Sequence, residues 1–441
     1  MAPELSKFFE EKQPSSIRLA QLLFLERQKK EGKKAPYVIN VAIGNVSLKT
    51  HPKMLKRYLK PIDKELKQGI WKYSLTFGRE ICNNVFVNII KSFLDDSNDP
   101  KLYSLIGDGS SVLMKLTILG VCGNPGKDEK PLLLIDPAYA NYSSIANETG
   151  RKIVAVSRTL NSTGKFSDVS PKEIENAIIK HKPGALLIIP YDNPSGQLMK
   201  QEVINEYARL CLKYNIFLVS DEAYRGLYYT KEKNAPSVWQ ITNKEVPGIE
   251  NAKIRISLET MSKVFNACGL RMGALVTDNK EFHTKAVFAS TTYLCASVTS
   301  QHIVESLIDE SKSDIQSWVK KQRDYYRNIF DDMYVQFKKL MPNLIVSVPE
   351  AAIYLVLDVK NIAKHNFDSE HFVKYCAEKG SVKINNKQMT LLVAPMTGFY
   401  NTKNNPGKTQ MRIACVLPKN EMKLVPKLFK ELFKQYESKR P

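Results

Sequence analysis

From about residue 80 to residue 310 the chain alternates short apolar runs with amphipathic stretches, and this rhythm constrains its fold more than any other feature. The apolar runs are Tyr103–Ile106, Leu132–Ile135, Ile153–Ser157, Ala185–Ile189, Phe217–Ser220, Ile254–Ser257 and Ala274–Thr277. They have the length of buried strands and are far too short to span a bilayer. Between them lie helical patterns such as Gln201–Tyr214, where Val203, Tyr207, Leu210 and Cys211 share one face. Strands alternating with helices predict an α/β unit, built on a mostly parallel seven-stranded sheet covered on both sides.

The rhythm changes after residue 300. A long charged helical stretch, Ser300–Leu340, leads into strand-like Ile345–Val348 and Ile353–Asp358, then helix, strand and a basic C-terminal helix. A chain of 441 residues also exceeds one ordinary core. The expected division is an N-terminal helix and arm (1–45), a large α/β domain (46–310) and a smaller α+β domain (311–441). Within the arm, residues 16–30 carry apolar residues at helical spacing, and the arm is expected to pack on the small domain or on a second subunit.

The formal charge of +20 raises the question of nucleic acid. The basic residues are spread along the whole chain among acids, however, and the longest cluster (Arg27, Lys29, Lys30, Lys33, Lys34) is short. A solvated lysine-rich surface that favours small anions is the expectation, with neither nucleic acid nor membrane as partner. Lys115 and Lys182, close in sequence to the motifs below, are read as solvated too. The seven cysteines are dispersed without a C-x-x-C pair, and the six histidines form no ligand pair, so no metal is expected. With no secretory or mitochondrial pattern in MAPELSKFFEEKQPSS, a cytoplasmic protein is predicted.

In open α/β sheets ligands bind at the carboxyl ends of strands, and there the chain places a distinct polar residue after each run. Gly107-Asp108-Gly109-Ser110-Ser111 precedes an apolar helix and would offer N–H and O–H donors to a phosphate. Tyr139 follows Asp136-Pro137 and could stack on a flat ring. Asn193 stands before Pro194, and Asp221 ends an apolar strand, where an acid is costly to bury unless it meets a cation. Thr260-Met261-Ser262-Lys263 is followed eight residues later by Arg271, and a deprotonated lysine amine forms imines with aldehydes.

These strings together resemble fold-type I aminotransferases that use pyridoxal 5'-phosphate (PLP). T-M-S-K followed by G-L-R-M-G is similar to the family's lysine motif, and N-P-S-G and D-E-A-Y to two more of its hallmarks, in the family's order. Gly44, Tyr73 before Phe77-Gly78, and Arg412 in M-R-I-A-C extend the likeness from about residue 40 to 420. The resemblance implies an aspartate aminotransferase-like fold, with Lys263 as the Schiff-base lysine and Asp221 on the pyridine nitrogen. Asn193 and Tyr224 would bond the ring's phenolic oxygen, and Tyr139 would cover the ring. Gly109, Ser110, Ser111, Thr260 and Arg271 would hold the phosphate, joined by Tyr73 from the second subunit of a homodimer. Arg412 would grip the substrate carboxylate beside Asn193, with Gly44 in the loop over the substrate.

Departures from the family pattern are visible. Thr260 replaces a serine, Tyr142 stands where some members have a histidine behind the aspartate, and Val46 and Leu48 replace a proline-bearing loop. Ser111 occupies the site of a lysine, and no arginine lies around Phe288–Thr292, so those positions give a dicarboxylate preference no support. The implied activity is ping-pong transfer of an amino group from an L-amino acid to a 2-oxo acid. The alternatives are a lyase of the same fold, performing β- or γ-elimination, and a non-catalytic regulator. The second is disfavoured because the residues before Gly44 leave little room for a DNA-binding module.

Overall fold

The computed structural model describes residues 3–402 and 404–440. Seven strands form the central sheet: β2 (Tyr103–Gly107), β3 (Leu132–Asp136), β4 (Ile153–Ser157), β5 (Ala185–Ile188), β6 (Phe217–Asp221), β7 (Arg255–Thr260) and β8 (Gly273–Thr277), after β1 (Tyr37–Asn40) in the arm. Their order is β2-β8-β7-β6-β5-β3-β4, and only β8 runs against its neighbours. Strands β3, β5, β6 and β7 are buried along nearly their whole length, which is why they read as continuous apolar runs without alternation. Because these four are parallel, their carboxyl ends open on the same edge. One face of the sheet packs Leu105, Leu134, Leu187 and Val219 against the helix Ser110–Cys122, through Leu113 and Met114. The other contributes Leu133, Leu186 and Leu218 to the larger core shared with the C-terminal part of the chain.

The predicted helix Ser300–Leu340 is interrupted. Val298–Val304 ends in a 3-10 turn (Glu305–Leu307), and a new helix runs from Lys312 to Leu340. Ser311 caps that helix: its hydroxyl accepts from Asp314 N, while the Asp314 carboxylate accepts from Ser311 N. This reciprocal cap starts a helix where apolar spacing alone suggests continuity.

Beyond it, β9 (Ile345–Val346), β10 (Tyr354–Asp358), β13 (Ala394–Pro395) and β14 (Gln410–Ala414) form a four-stranded antiparallel sheet in the order β13-β14-β10-β9. A third sheet joins β11 (Val382–Ile384) and β12 (Lys387–Leu392) to β1 of the arm, with Tyr37 opposite Met389. The N-terminal helix Ser16–Glu31 packs beside helix Ser369–Glu378, and Arg27 ties it down by donating to the Gly380 carbonyl. The arm therefore packs on the C-terminal part of the chain. Among the described residues, no helix is long and apolar enough to cross a membrane.

Candidate active site

A cavity of about 840 Å³ lies at the carboxyl ends of the parallel strands. Crossing the sheet from β7 through β6 and β5 to β3, its lining carries Thr260 and Lys263, Asp221 and Tyr224, Asn193, then Tyr139. Ser110, Ser111, Arg271, Gly44 and Arg412 line it as well. Parallel strands bring together side chains that lie far apart in sequence.

Lys263 Nζ reaches across to Gly44, donating to its carbonyl at 2.5 Å, and lies 3.9 Å from Cys268 Sγ. A Cβ on Gly44 would stand 2.5 Å from the Tyr354 hydroxyl and 3.2 Å from that amine, so a side chain there would displace Tyr354 and crowd the lysine. Asp221 is buried and ends β6. Its carboxylate accepts from the Tyr142 hydroxyl and from Ala223 N, and no cationic side chain pairs with it among the described residues. Burial pushes its carboxyl above the usual carboxylate range, against the pull of these hydrogen bonds. Tyr142 thus supports the aspartate in place of a histidine.

The turn after β2 begins the helix Ser110–Cys122. Gly109 has φ +89 and supplies no side-chain cap, which leaves the first-turn N–H groups free. A Cβ on Gly109 would run into the Arg271 guanidinium. Arg271 itself sits at φ +51, an uncommon conformation for a residue with a side chain, and donates only to the Cys268 carbonyl. The Thr260 hydroxyl bonds Ser262 and the Met272 carbonyl on the same rim. Free amides, hydroxyls and an arginine without a carboxylate partner converge here as an anion cradle.

Arg412 lies on β14 and is 4 % exposed. Its fork donates to Asn193 Oδ1 at 2.8 Å and to the Ala42 carbonyl at 2.7 Å, and Nε has no partner. The guanidinium lies over the rings of Tyr354 (4.3 Å) and Phe399 (4.9 Å). It is held by neutral groups and aromatic faces, and among the described residues no carboxylate pairs with it.

Tyr354 is a site residue that sequence reasoning missed. Its hydroxyl shares a 2.6 Å hydrogen bond with Tyr224. Val356 stands opposite Arg412 in the β10–β14 pair, and Tyr354, two residues earlier, shares that face. A tyrosine inside the apolar run I-Y-L-V-L-D, needing a partner for its hydroxyl, was the available signal. Cys268 was missed as well. Tyr73 does not line the cavity of its own chain and is 77 % exposed. Lys115, read as solvated, pairs with Glu148 at the surface.

Sequence comparison bears on what this cavity serves. The family described as "Aminotransferase class I and II" matches residues 103–423. The chain belongs to the class I and II aminotransferases. This aminotransferase is 26% identical over 362 residues to the aspartate aminotransferase of Sulfolobus acidocaldarius, covering 81% of this chain and 82% of the relative. It is 23% identical over 308 residues to human kynurenine–oxoglutarate transaminase 3, covering 66% of this chain and 63% of the relative. Its fold superposes on that of Thermus thermophilus aspartate aminotransferase, solved with maleate, with a TM-score of 0.76 at 19% identity, over 98% of this chain and all of the other. The fold is aspartate aminotransferase-like, as the motifs implied.

Proposed function

We propose that this aminotransferase carries pyridoxal 5'-phosphate on Lys263 and moves an amino group from an L-amino acid to a 2-oxo acid in two half-reactions. The observation that carries the reading is that Lys263 and a buried Asp221 with no cationic partner among the described residues line one cavity whose rim is an anion cradle. The donor set fits the group. A protonated ring nitrogen is the cation that a buried carboxylate lacks, and Gly109, Ser110, Ser111, Thr260 and Arg271 fit a phosphate. The amide nitrogen of Asn193, whose oxygen is taken by Arg412, and the Tyr224 hydroxyl are suited to the phenolic oxygen. Tyr139 lines the same cavity, where it would cover the ring.

Bound there, the cofactor supplies an aldehyde for imine chemistry and a ring that accepts the electron pair left at the substrate Cα. Arg412 binds the α-carboxylate through its planar fork and fixes the direction of the Cα–H bond. Lys263 would hold the cofactor through its Nζ, and that amine, once free, would take the proton from the substrate Cα and hold it for return. Asp221 would hold the ring nitrogen, and Tyr142 keeps its carboxylate in orientation. Release of a keto acid and entry of a second one in the reverse sense give ping-pong kinetics.

The test is a panel of amino acids offered to the PLP-loaded protein, each with a 2-oxo acid acceptor. New amino acid should form from the acceptor in step with keto acid from the donor. Release of ammonia and an eliminated substituent, without amino transfer, would instead identify the lyase chemistry. The named relatives are transaminases and favour the first result.

A homodimer with shared sites belongs to the same proposal. Tyr73 is exposed, as are Trp71 and Leu75 near it in sequence and Leu59 and Ile62 earlier in the same segment, apolar side chains that a second subunit would cover. The expected result is complementation. A Tyr73→Phe subunit keeps Lys263, and a Lys263→Ala subunit keeps Tyr73, so their mixed dimer regains one intact site and retains PLP better than either parent. No gain over the parents, or a monomer in sedimentation, removes Tyr73 from this role. The packing of the arm on the smaller C-terminal domain is supported by the pairing of β1 with β12. The cytoplasmic setting is supported by seven unpaired cysteines.

A further inference from the structure

A second cavity, of about 580 Å³, lies on the edge of the sheet opposite the strand-end site. Its lining includes Lys152 where β4 begins, and Lys180 and His181 at the end of the helix Pro171–His181. Arg151 lines it too and is 3 % exposed. One nitrogen of its guanidinium is used: Nη1 donates to the Thr149 carbonyl at 2.7 Å, in the turn after the helix Asn141–Glu148. Nε and Nη2 are buried and have no partner. Those two N–H groups share one edge of the guanidinium, the edge that binds an oxyanion through two parallel hydrogen bonds.

The charge around this cavity is unbalanced. Arg151, Lys152 and Lys180 are opposed by one lining carboxylate, Glu129. Of the acids close in sequence, Glu148 pairs with Lys115, and Asp128 accepts from Asn124 N. Among the described residues no carboxylate pairs with Arg151, Lys152 or Lys180. The partial negative charge at a helix C-terminus accounts for Lys180 and His181 in a last turn. It does not account for Lys152, which lies outside any helix, nor for a buried guanidinium edge left without acceptors. A buried cation in that condition is costly, and an anion from outside the chain would relieve the cost.

We propose that this cavity is an anion site that takes a phosphate group, either free phosphate or the phosphate of a small organic ester. Arg151 supplies the fixed two-point fork, and Lys152 and Lys180 close on the remaining oxygens from the rim. A phosphate suits three converging cations better than a monocarboxylate does, because it carries up to about two charges and several strong acceptor oxygens. The cavity's volume leaves room for an organic group beyond the phosphate. The site is separate from the strand-end cradle, since no residue lines both cavities.

The experiment is titration calorimetry of inorganic phosphate and of glycerol phosphate into the PLP-loaded protein, in which the proposed cradle is filled. One phosphate should bind per chain, and more weakly as salt is raised. Lys152 and Lys180 are exposed, so the double variant Lys152→Gln/Lys180→Gln keeps the fold. It should weaken binding by about 10-fold, and Arg151→Gln by about 10–100-fold. Should Arg151→Gln fail to fold, the double variant decides. Tighter binding of the ester assigns the site to an organic phosphate, and equal or weaker binding of the ester assigns it to free phosphate. No binding to the wild type, or equal affinity in the wild type and the double variant, overturns the inference. So does a loss of binding in Arg271→Gln with the double variant unaffected, which would place the phosphate in the strand-end cradle.

Discussion

Replacing Lys263 with alanine is expected to lower turnover by at least about 10²–10⁴-fold, the share contributed by one positioned acid–base group. The loss of the covalent anchor adds to that. The basis is geometric. Among the described residues Lys263 is the one lysine that lines the cavity, and the Gly44 carbonyl holds its Nζ over the strand ends. The fold should survive the change, because the surrounding core is built from residues such as Met261, Val264 and Phe265. Single-turnover measurement of keto acid release separates this loss from any loss of cofactor. Retention of wild-type rates would move the proton-transfer role to another group.

Arg412→Lys is the second large effect. Lysine keeps the charge and loses the fork that reaches Asn193 and the Ala42 carbonyl, along with the planar contact on Tyr354 and Phe399. Truncating one partner of a buried charge-assisted pair costs about 2–5 kcal/mol, so kcat/KM should fall by roughly 30-fold to several thousand-fold for every amino acid. PLP retention should change little, since Arg412 does not belong to the phosphate cradle. Steady-state kinetics over several side-chain classes would check it. A loss confined to one class would mean that Arg412 reads the side chain, leaving the common carboxylate to another group.

The parts of the site that were legible in the sequence are those that follow a strand. Asn193, Asp221 and Lys263 each lie within a few residues of the end of β5, β6 or β7, so locating the strands locates the residues. The sheet was legible for the same reason: strands buried on both faces are written as short unbroken apolar runs, and β8 differs only in direction. Direction is decided by the connection and leaves no mark in composition. Tyr354 and the Ala42 carbonyl were not legible as site components. Each reaches the cavity because the arm and the C-terminal strands fold back over the sheet edge, and β1 pairs with a strand some 350 residues later. Residue patterns report local periodicity and are silent on such distant pairings.

The buried acids behind the site were equally hidden. Glu222 and Glu259 share Arg225, whose Nη2 lies 2.7 Å from Glu259 and 3.3 Å from Glu222. Burial pushes the Glu222 carboxyl up to about 7, against the opposing charge of Arg225. Ser237 and Ser220 complete the cluster by donating to Glu222. It sits beneath the ends of β6 and β7 and ties together the two strands that carry Asp221 and Lys263. The D-E-A-Y-R string contains two of its members, yet only the third dimension joins them to Glu259.

The central claim is that Lys263 carries the cofactor, and borohydride reduction of the PLP-loaded wild-type protein followed by peptide mapping tests it most directly. The expected result is a single pyridoxyl group per chain, on Lys263. A pyridoxyl group on another lysine of a fully active protein would contradict it.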